Sequence, residues 1–430
     1  MIAGTNSGSG KTTFTLGILR ELRQRGFNVI PFKCGPDYID PLFHRQAAGT
    51  VSWNLDAYFA SEQEFFRQTP GFDAAVVEGV MGLFDGIYPD RLDGSCAELA
   101  VKLSLPVVLT VNAQGLGGSI APLVKGFSQW HPDVKIIGVL ANKVGSSRHA
   151  AILRDALKSA SLPPLLGYLK RAEHWFLPER HLGLSVGRLD EGWLNDLSDE
   201  IEKHVDLDRL LNLSKGEIPG LPEEPVPSPV LRLGVARDEA FCFYYEANLA
   251  ALRRLGVEIV PFSPRHDPAL PERLDGIYLG GGYPELYMKD LNANETMMAS
   301  IRDFARDHFV YGECGGYLYL LESLENFAGE TLPGLGLLPG RARMNRKLAS
   351  LGYREVDGPW GRGRGHEFHY SSLIDPPPGP YLWHSADAHG GQSECGGMHG
   401  KVFGSYIHLY FADNPELLQA FLKQMQPARN

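Results

Sequence analysis

Two α/β domains joined by a linker are the architecture this sequence predicts, and three observations predict it. Strand-length apolar runs alternate with helix-length amphipathic segments up to about residue 205, and the alternation resumes at residue 231. Between them the chain turns rich in Pro, Glu and Gly, as in Ile218-Pro219-Gly220-Leu221-Pro222-Glu223-Glu224-Pro225. Finally, 430 residues exceed what one ordinary core holds. The expected division is a first domain over 1–205, a linker over 206–230 and a second domain over 231–430.

In the first domain a helix is expected from Lys11 to Arg25, with Phe14, Ile18, Leu19 and Leu22 on one face and Gly26 as its stop. Strands are expected at Asn28–Phe32, Ala74–Val77, Val107–Val111 and Ile136–Ala141, with helices such as Ser95–Leu103 and Arg148–Ala160 between them. This order argues for a parallel sheet covered on both faces. In the second domain the expected strands are Leu231–Ala236, Val257–Phe262, Ile277–Leu279 and Phe309–Gly312. Helices are expected at Tyr244–Leu255 and Asn294–Asp307. The last hundred residues are richer in Gly, Pro and aromatics, read as more β-like, and end in a short helix near Pro415–Lys423.

Composition excludes several classes. A net charge of −10 disfavours a general nucleic-acid or anionic-membrane binder. Apolar runs such as Val107–Val111 are strand-length, so no bilayer span is expected. The five cysteines, Cys34, Cys96, Cys242, Cys314 and Cys395, are scattered without a C-x-x-C pair, which fits a reducing cytoplasm. No charged and apolar leader precedes the first motif. Only Met1-Ile2-Ala3 stand where a whole strand is due, so the native strand is expected to begin a few residues upstream.

That first motif is Gly4-Thr5-Asn6-Ser7-Gly8-Ser9-Gly10-Lys11-Thr12, a glycine-rich loop running into a helix. Gly8 and Gly10 let several backbone N–H groups point at one anion, and the helix dipole adds attraction. Lys11 would reach the β- and γ-phosphates of ATP, the Thr12 hydroxyl would bind Mg²⁺, and Thr13 would lie beside the phosphates. Thr5 stands where the strict pattern asks for Gly, so the loop is a variant. After the second strand, Phe32-Lys33-Cys34-Gly35-Pro36-Asp37-Tyr38-Ile39-Asp40-Pro41 offers a lysine and two aspartates at a carboxyl edge; Lys33 is read as catalytic and Asp37 as a metal ligand. Glu78 closes a buried strand, placed to hold Mg²⁺ directly or through a neighbour. Asn142 closes another, where its amide would read an adenine edge. Phosphoryl transfer to an anionic acceptor needs Mg²⁺ and extra cations, which Lys11 and Lys33 would supply.

Gly312-Glu313-Cys314-Gly315-Gly316 fits G-x-C-x-G, where small neighbours allow a strained turn that presents the sulfur. His408, in Gly404-Ser405-Tyr406-Ile407-His408-Leu409, is the candidate base, and N–H groups of Gly280-Gly281-Gly282-Tyr283-Pro284 are oxyanion candidates. Gly365-His366-Glu367-Phe368-His369-Tyr370 invites a metal reading, a substrate or interdomain contact, or plain structure; on a strand its two histidines face opposite sides.

With these residues assembled, the chain resembles the cobyrinic acid a,c-diamide synthase family over nearly its whole length. The loop at Gly4–Thr12, Lys33 and the V-E-G turn at Glu78 are similar to the synthetase fold shared with dethiobiotin synthetase. Lys33-Cys34-Gly35-Pro36-Asp37-Tyr38-Ile39-Asp40-Pro41 is the most specific match. Ala236–Phe241, Gly280–Glu285, the Cys314 turn and His408 resemble a class I glutamine amidotransferase of the cobyrinate type. The fold class implied is α/β in two domains: an N-terminal P-loop parallel-sheet synthetase and a C-terminal class I glutamine amidotransferase-like domain. The resemblance implies ATP, L-glutamine and a corrinoid tetrapyrrole as partners, with Mg²⁺, in cobalamin biosynthesis, and leaves a homodimer open. It implies amidation of the a and c acetates through an acyl phosphate and ammonia released at Cys314. Hydrogenobyrinic acid and nickel-sirohydrochlorin are alternative substrates, and a non-catalytic P-loop scaffold is the alternative from another class. Class I amidotransferases carry an acid two residues after the histidine; here that position is Tyr410, which leaves the third member of the site open.

Overall fold

The structure, a computed structural model, describes every residue except 173–174, 176–188, 217, 222–226, 377 and 427–430. It divides into two compact units, Met1–Glu223 and Glu224–Asn430. The division falls inside the stretch read as linker, part of which (222–226) lies outside the described residues. The start of that stretch is helical instead: Leu207–Leu213 is capped by Asp206, whose side chain accepts from Arg209 N, and it buries Leu207 and Leu210 in the first unit.

The first unit is built on seven strands: β1 (Ile2–Gly4), β2 (Val29–Cys34), β3 (Trp53–Leu55), β4 (Ala74–Glu78), β5 (Val107–Asn112), β6 (Ile136–Val144) and β7 (Leu165–Lys170). All pair in parallel, in the order β3-β2-β4-β1-β5-β6-β7. Every residue of β2 is buried, as expected of a strand covered on both faces. One face carries α1 (Lys11–Gln24), which buries Phe14, Ile18, Leu19 and Leu22 against the helix Glu191–His204. Gly17 permits that approach, since a Cβ there would come within 2.5 Å of Ile201 Cγ1. The opposite face holds a second core of Phe32, Leu99, Leu109, Val139 and Leu153. Strand order reverses around β1, so the carboxyl ends of β1, β2 and β4 open on one crevice, the place where such sheets take ligands.

The second unit has a sheet of β8 (Leu231–Ala236), β9 (Val257–Phe262), β10 (Gly276–Leu279) and β11 (Phe309–Glu313), with β11 also pairing in parallel to Val402–Ser405. A separate antiparallel sheet of five strands includes Ser350–Gly358 and Gly361–His369, and ends in the edge strand His408–Tyr410. These strands account for the β-like character of the last hundred residues, and Pro415–Met425 is the closing helix.

Candidate active sites

In the first unit the glycine loop folds as a cradle. Gly8 and Gly10 take φ of 77° and 105°, conformations that glycine enters at little cost. A Cβ at Gly10 would also come within 2.2 Å of Asn142 Nδ2, so the Asn142 amide lies against the loop itself. Lys11, at the start of α1, spans the loop: its Nζ donates to Asn6 O at 3.1 Å and to Met81 O at 2.6 Å. Ser9 Oγ meets Thr110 Oγ1 at 2.9 Å, pinning the loop to β5. Thr13 follows in the first turn of α1.

Beneath the loop lies a buried polar cluster. Glu78, the last residue of β4 and fully buried, accepts from Thr12 Oγ1 at 2.6 Å and from Lys33 Nζ at 2.8 Å on Oε1. Its Oε2 meets His44 Nε2 at 2.7 Å, and His44 Nδ1 meets Ser52 Oγ at 3.1 Å. Burial alone would raise the Glu78 pKa; attraction to Lys33 and the bond to His44 overcome this and hold it well below the ordinary carboxylate range. Thr12 and Glu78, expected as Mg²⁺ ligands, are therefore side by side, and their oxygens are the hard donors that Mg²⁺ takes. Asp37, the third expected ligand, is used locally: its Oδ1 accepts from Ile39 N and Asp40 N at the start of α2 (Ile39–Ala48).

Lys33 lies in the same cluster. Its ammonium is 2% exposed and meets Asp40 Oδ2 at 2.6 Å, Glu78 Oε1 at 2.8 Å and Gly79 O at 3.1 Å. Asp37 Oδ2 lies 4.0 Å away, and the Lys33 charge offsets those of Asp40 and Glu78.

In the second unit Cys314 caps the short helix Gly315–Leu320 with φ 47° and ψ −103°, a left-handed conformation that a residue with a Cβ enters only under strain. The turn is enforced by its glycines. A Cβ on Gly316 would lie 1.9 Å from Leu279 O, and one on Gly315 2.8 Å from Pro284 Cδ. Gly316→Ala is expected to destabilise this unit by about 1–3 kcal/mol and to stop glutamine hydrolysis. An unchanged melting midpoint with unchanged hydrolysis would contradict that account of the turn.

The Cys314 thiol and the His408 imidazole lie together, close enough for their charges to interact. Burial would push the imidazole down, but attraction to the neighbouring Cys314 and Glu313 outweighs this and raises its pKa to about 9. Of the expected oxyanion donors, Gly280 N is given to Tyr244 Oη at 2.8 Å and Tyr283 N to Ala240 O at 3.0 Å. Gly281 pairs with Phe243 in an antiparallel bridge, which leaves the N–H of Gly282 as the candidate, and Gly281 abuts the imidazole: its Cβ would come within 2.4 Å of His408 Cε1. The histidines of the His366-to-His369 motif do part, but both serve the thiol site's surroundings. His366 stacks on His408 with ring centroids 4.9 Å apart, and His369 stacks on Tyr406 at 3.8 Å. Among the described residues no group of three metal-ligating side chains occurs, so the metal reading of this motif has no donor set there.

Two family models match the chain. Residues 1–184 match the CobQ/CobB/MinD/ParA nucleotide binding domain, and residues 232–416 match the CobB/CobQ-like glutamine amidotransferase domain. Among curated relatives, a cobyrinate a,c-diamide synthase of Dehalococcoides mccartyi is 41% identical over 98% of this chain and 97% of its own. Proteins of that name from Syntrophotalea carbinolica and Salmonella typhimurium are 42% and 41% identical, again over 98% of this chain and 97% of theirs.

The chain belongs to the cobyrinate a,c-diamide synthase family.

Within that family's two domains, the motifs had located the loop, Glu78, Cys314 and His408, but not what surrounds them. His44 was missed, although Asp40 and His44 are four apart on α2 and so share a face. His366 was noted without a partner, and Glu313 was passed over as a spacer beside the cysteine. No helix of the described residues is long and apolar enough to cross a membrane.

Proposed function

We propose that this protein amidates the a and c acetate side chains of cobyrinic acid in cobalamin biosynthesis, using ATP and glutamine. The observation that carries the reading is whole-length identity to relatives of that name, joined to a thiol–imidazole pair and a phosphate cradle in one chain. The Cys314 thiolate attacks the side-chain amide carbon of glutamine, and the Gly282 N–H receives the developing oxyanion. His408 gives its proton to the leaving nitrogen, the C–N bond breaks and ammonia departs; water then hydrolyses the glutamyl thioester. In the first unit an acetate oxygen of the corrinoid attacks the γ-phosphorus of ATP, releasing ADP and leaving an acyl phosphate. Ammonia adds to that carbonyl and phosphate leaves, giving the amide.

Lys11 and the N–H groups of Gly8 and Gly10 hold the phosphates, Thr13 lies beside them, and Asn142 sets the loop's shape and borders the base. Thr12 and Glu78 would hold Mg²⁺, which would supply charge neutralisation at the phosphates. Lys33, with His44, keeps Glu78 ionised for that task. The scattered free cysteines support work in the reducing cytoplasm.

The test is an assay of the full chain with Mg·ATP and glutamine over cobyrinate, hydrogenobyrinate and nickel-sirohydrochlorin. Cobyrinate is expected to yield a diamide with an ADP and a glutamate formed for each amide. A kcat/KM about tenfold higher for either alternative would reassign the substrate.

A further inference from the structure

We propose that Glu313, the residue immediately before the nucleophile, is the third member of the thiol site and acts as the positioning residue for His408. The inference rests on the reading of Cys314 and His408 as nucleophile and base. It supplies what Tyr410 does not: Tyr410 stands at the usual place of the acid and packs its ring edge-on against Tyr245 at 5.2 Å.

Glu313 ends β11 and is 1% exposed. Its Oε2 lies 3.8 Å from His408 Nδ1, with both side chains 2% exposed. Three donors hold the carboxylate there. Tyr311 Oη donates to Oε1 at 2.8 Å, Leu409 N donates to the same oxygen at 3.1 Å, and Tyr278 Oη donates to Oε2 at 2.6 Å. The donors come from three strands: β11, β10 and His408–Tyr410. Leu409 is the neighbour of His408, so the acid is tied to the backbone that carries the imidazole and faces the ring at 3.8 Å.

Alternation explains the placement. Tyr311 and Glu313 are two apart on β11 and point to one face, and Tyr311 stands in register with Tyr278 of β10. Both phenols are pushed well above their ordinary pKa by burial and by the Glu313 charge, so they serve the carboxylate only as donors. A carboxylate facing Nδ1 favours the tautomer with its proton there, which leaves Nε2 for the sulfur and supports the imidazolium once it forms.

The other groups facing His408 carry no compensating negative charge. His366 stacks on it at 16° between ring planes, is held by Tyr245 Oη at 2.8 Å on Nδ1, and is kept neutral by burial and by the His408 charge. His369 is also lowered, by burial first, although Glu367 and its bond to Ser371 O oppose this. Among the described titratable groups around the imidazole, Cys314 and Glu313 are the ones that stabilise its charged form.

The test is Glu313→Gln in the full chain, measuring glutamine hydrolysis against pH and amidation with ammonium chloride. Hydrolysis kcat/KM is expected to fall about 10²–10³-fold while ammonium-driven amidation persists. The sign of the pH effect follows from His408, raised to about 9: its charged form prevails below that pH and is lost above it. Without the Glu313 charge that pKa drops, so the alkaline limb of hydrolysis moves to lower pH. Tyr278→Phe, which weakens the hold on the acid but keeps its charge, is expected to leave the limb at or above its parent position. It decides the matter if Glu313→Gln does not fold, because a limb moved down by Tyr278→Phe overturns the proposal. Hydrolysis within threefold (~3-fold) of the parent and an unmoved limb in folded Glu313→Gln also overturn it. Cys314→Ala separates the two readings. If it hydrolyses glutamine, the thiol site itself is misassigned; if it does not while Glu313→Gln does, only the role of Glu313 falls.

Discussion

Cys314→Ala is expected to lower glutamine-driven amidation by about 10⁴-fold or more, with ammonium-driven amidation near the parent rate. Covalent catalysis has no substitute at this elbow. The side chain is the one carried at φ 47° between a buried strand and a helix start, with Glu313 before it and Gly315 and Gly316 after it. Alanine keeps the Cβ and removes only the sulfur, so the turn should persist. Persistence of the turn is checked by an unchanged melting midpoint, and the ammonium reaction serves as the control for the other unit. Glutamate release from Cys314→Ala at the parent rate would remove the thiol from the mechanism.

Lys11→Ala is expected to have the opposite pattern of loss: amidation falls by about 10²–10⁴-fold with glutamine or ammonium alike, while hydrolysis of glutamine continues. The Lys11 ammonium lies across the loop, bonded to Asn6 O and Met81 O, and is 7% exposed. Its removal takes away both the cation meant for the phosphates and a clamp on the loop's shape. Arginine should not restore the rate, since a planar fork does not fit a position sized for a compact ammonium. ATP-dependent amidation by Lys11→Ala with ammonium at the parent rate would show that the phosphate site lies elsewhere.

The parts legible in the sequence were those that local pattern dictates. The helix expected at Lys11–Arg25 is Lys11–Gln24, and the strand expected at Asn28–Phe32 runs from Val29 to Cys34. Both are strongly periodic or continuously apolar, so neighbours did not have to be known. The helix at Leu207–Leu213 was hidden by the Pro and Gly that follow it, although an Asp cap and leucines at 207, 210 and 211 signal it. The polar clusters were illegible for a different reason. Lys33 and Glu78 meet because β2 and β4 lie side by side, α2 brings His44 to the same carboxylate, and His366 meets His408 through pairing of two strands. Charge satisfaction of this kind is a property of the assembled sheet. Lys33 shows the consequence most clearly, since its motif position does not reveal the Asp40 and Glu78 carboxylates that meet its ammonium.

The short edge strand that carries His408 bears on how this protein can fail. Its pairing with Gly361–His369 consists of three residue couples, Arg364 with Tyr410, Gly365 with Leu409 and His366 with His408. A shift by one position would aim Leu409 where the imidazole belongs, because successive side chains of a strand face opposite ways. Misregistration of one terminal strand would therefore yield a compact, soluble, inert glutaminase half whose partner half still consumes free ammonia. Preparations of uneven refolding history should differ in their ratio of glutamine-driven to ammonia-driven turnover, which makes that ratio a gauge of correct strand alignment.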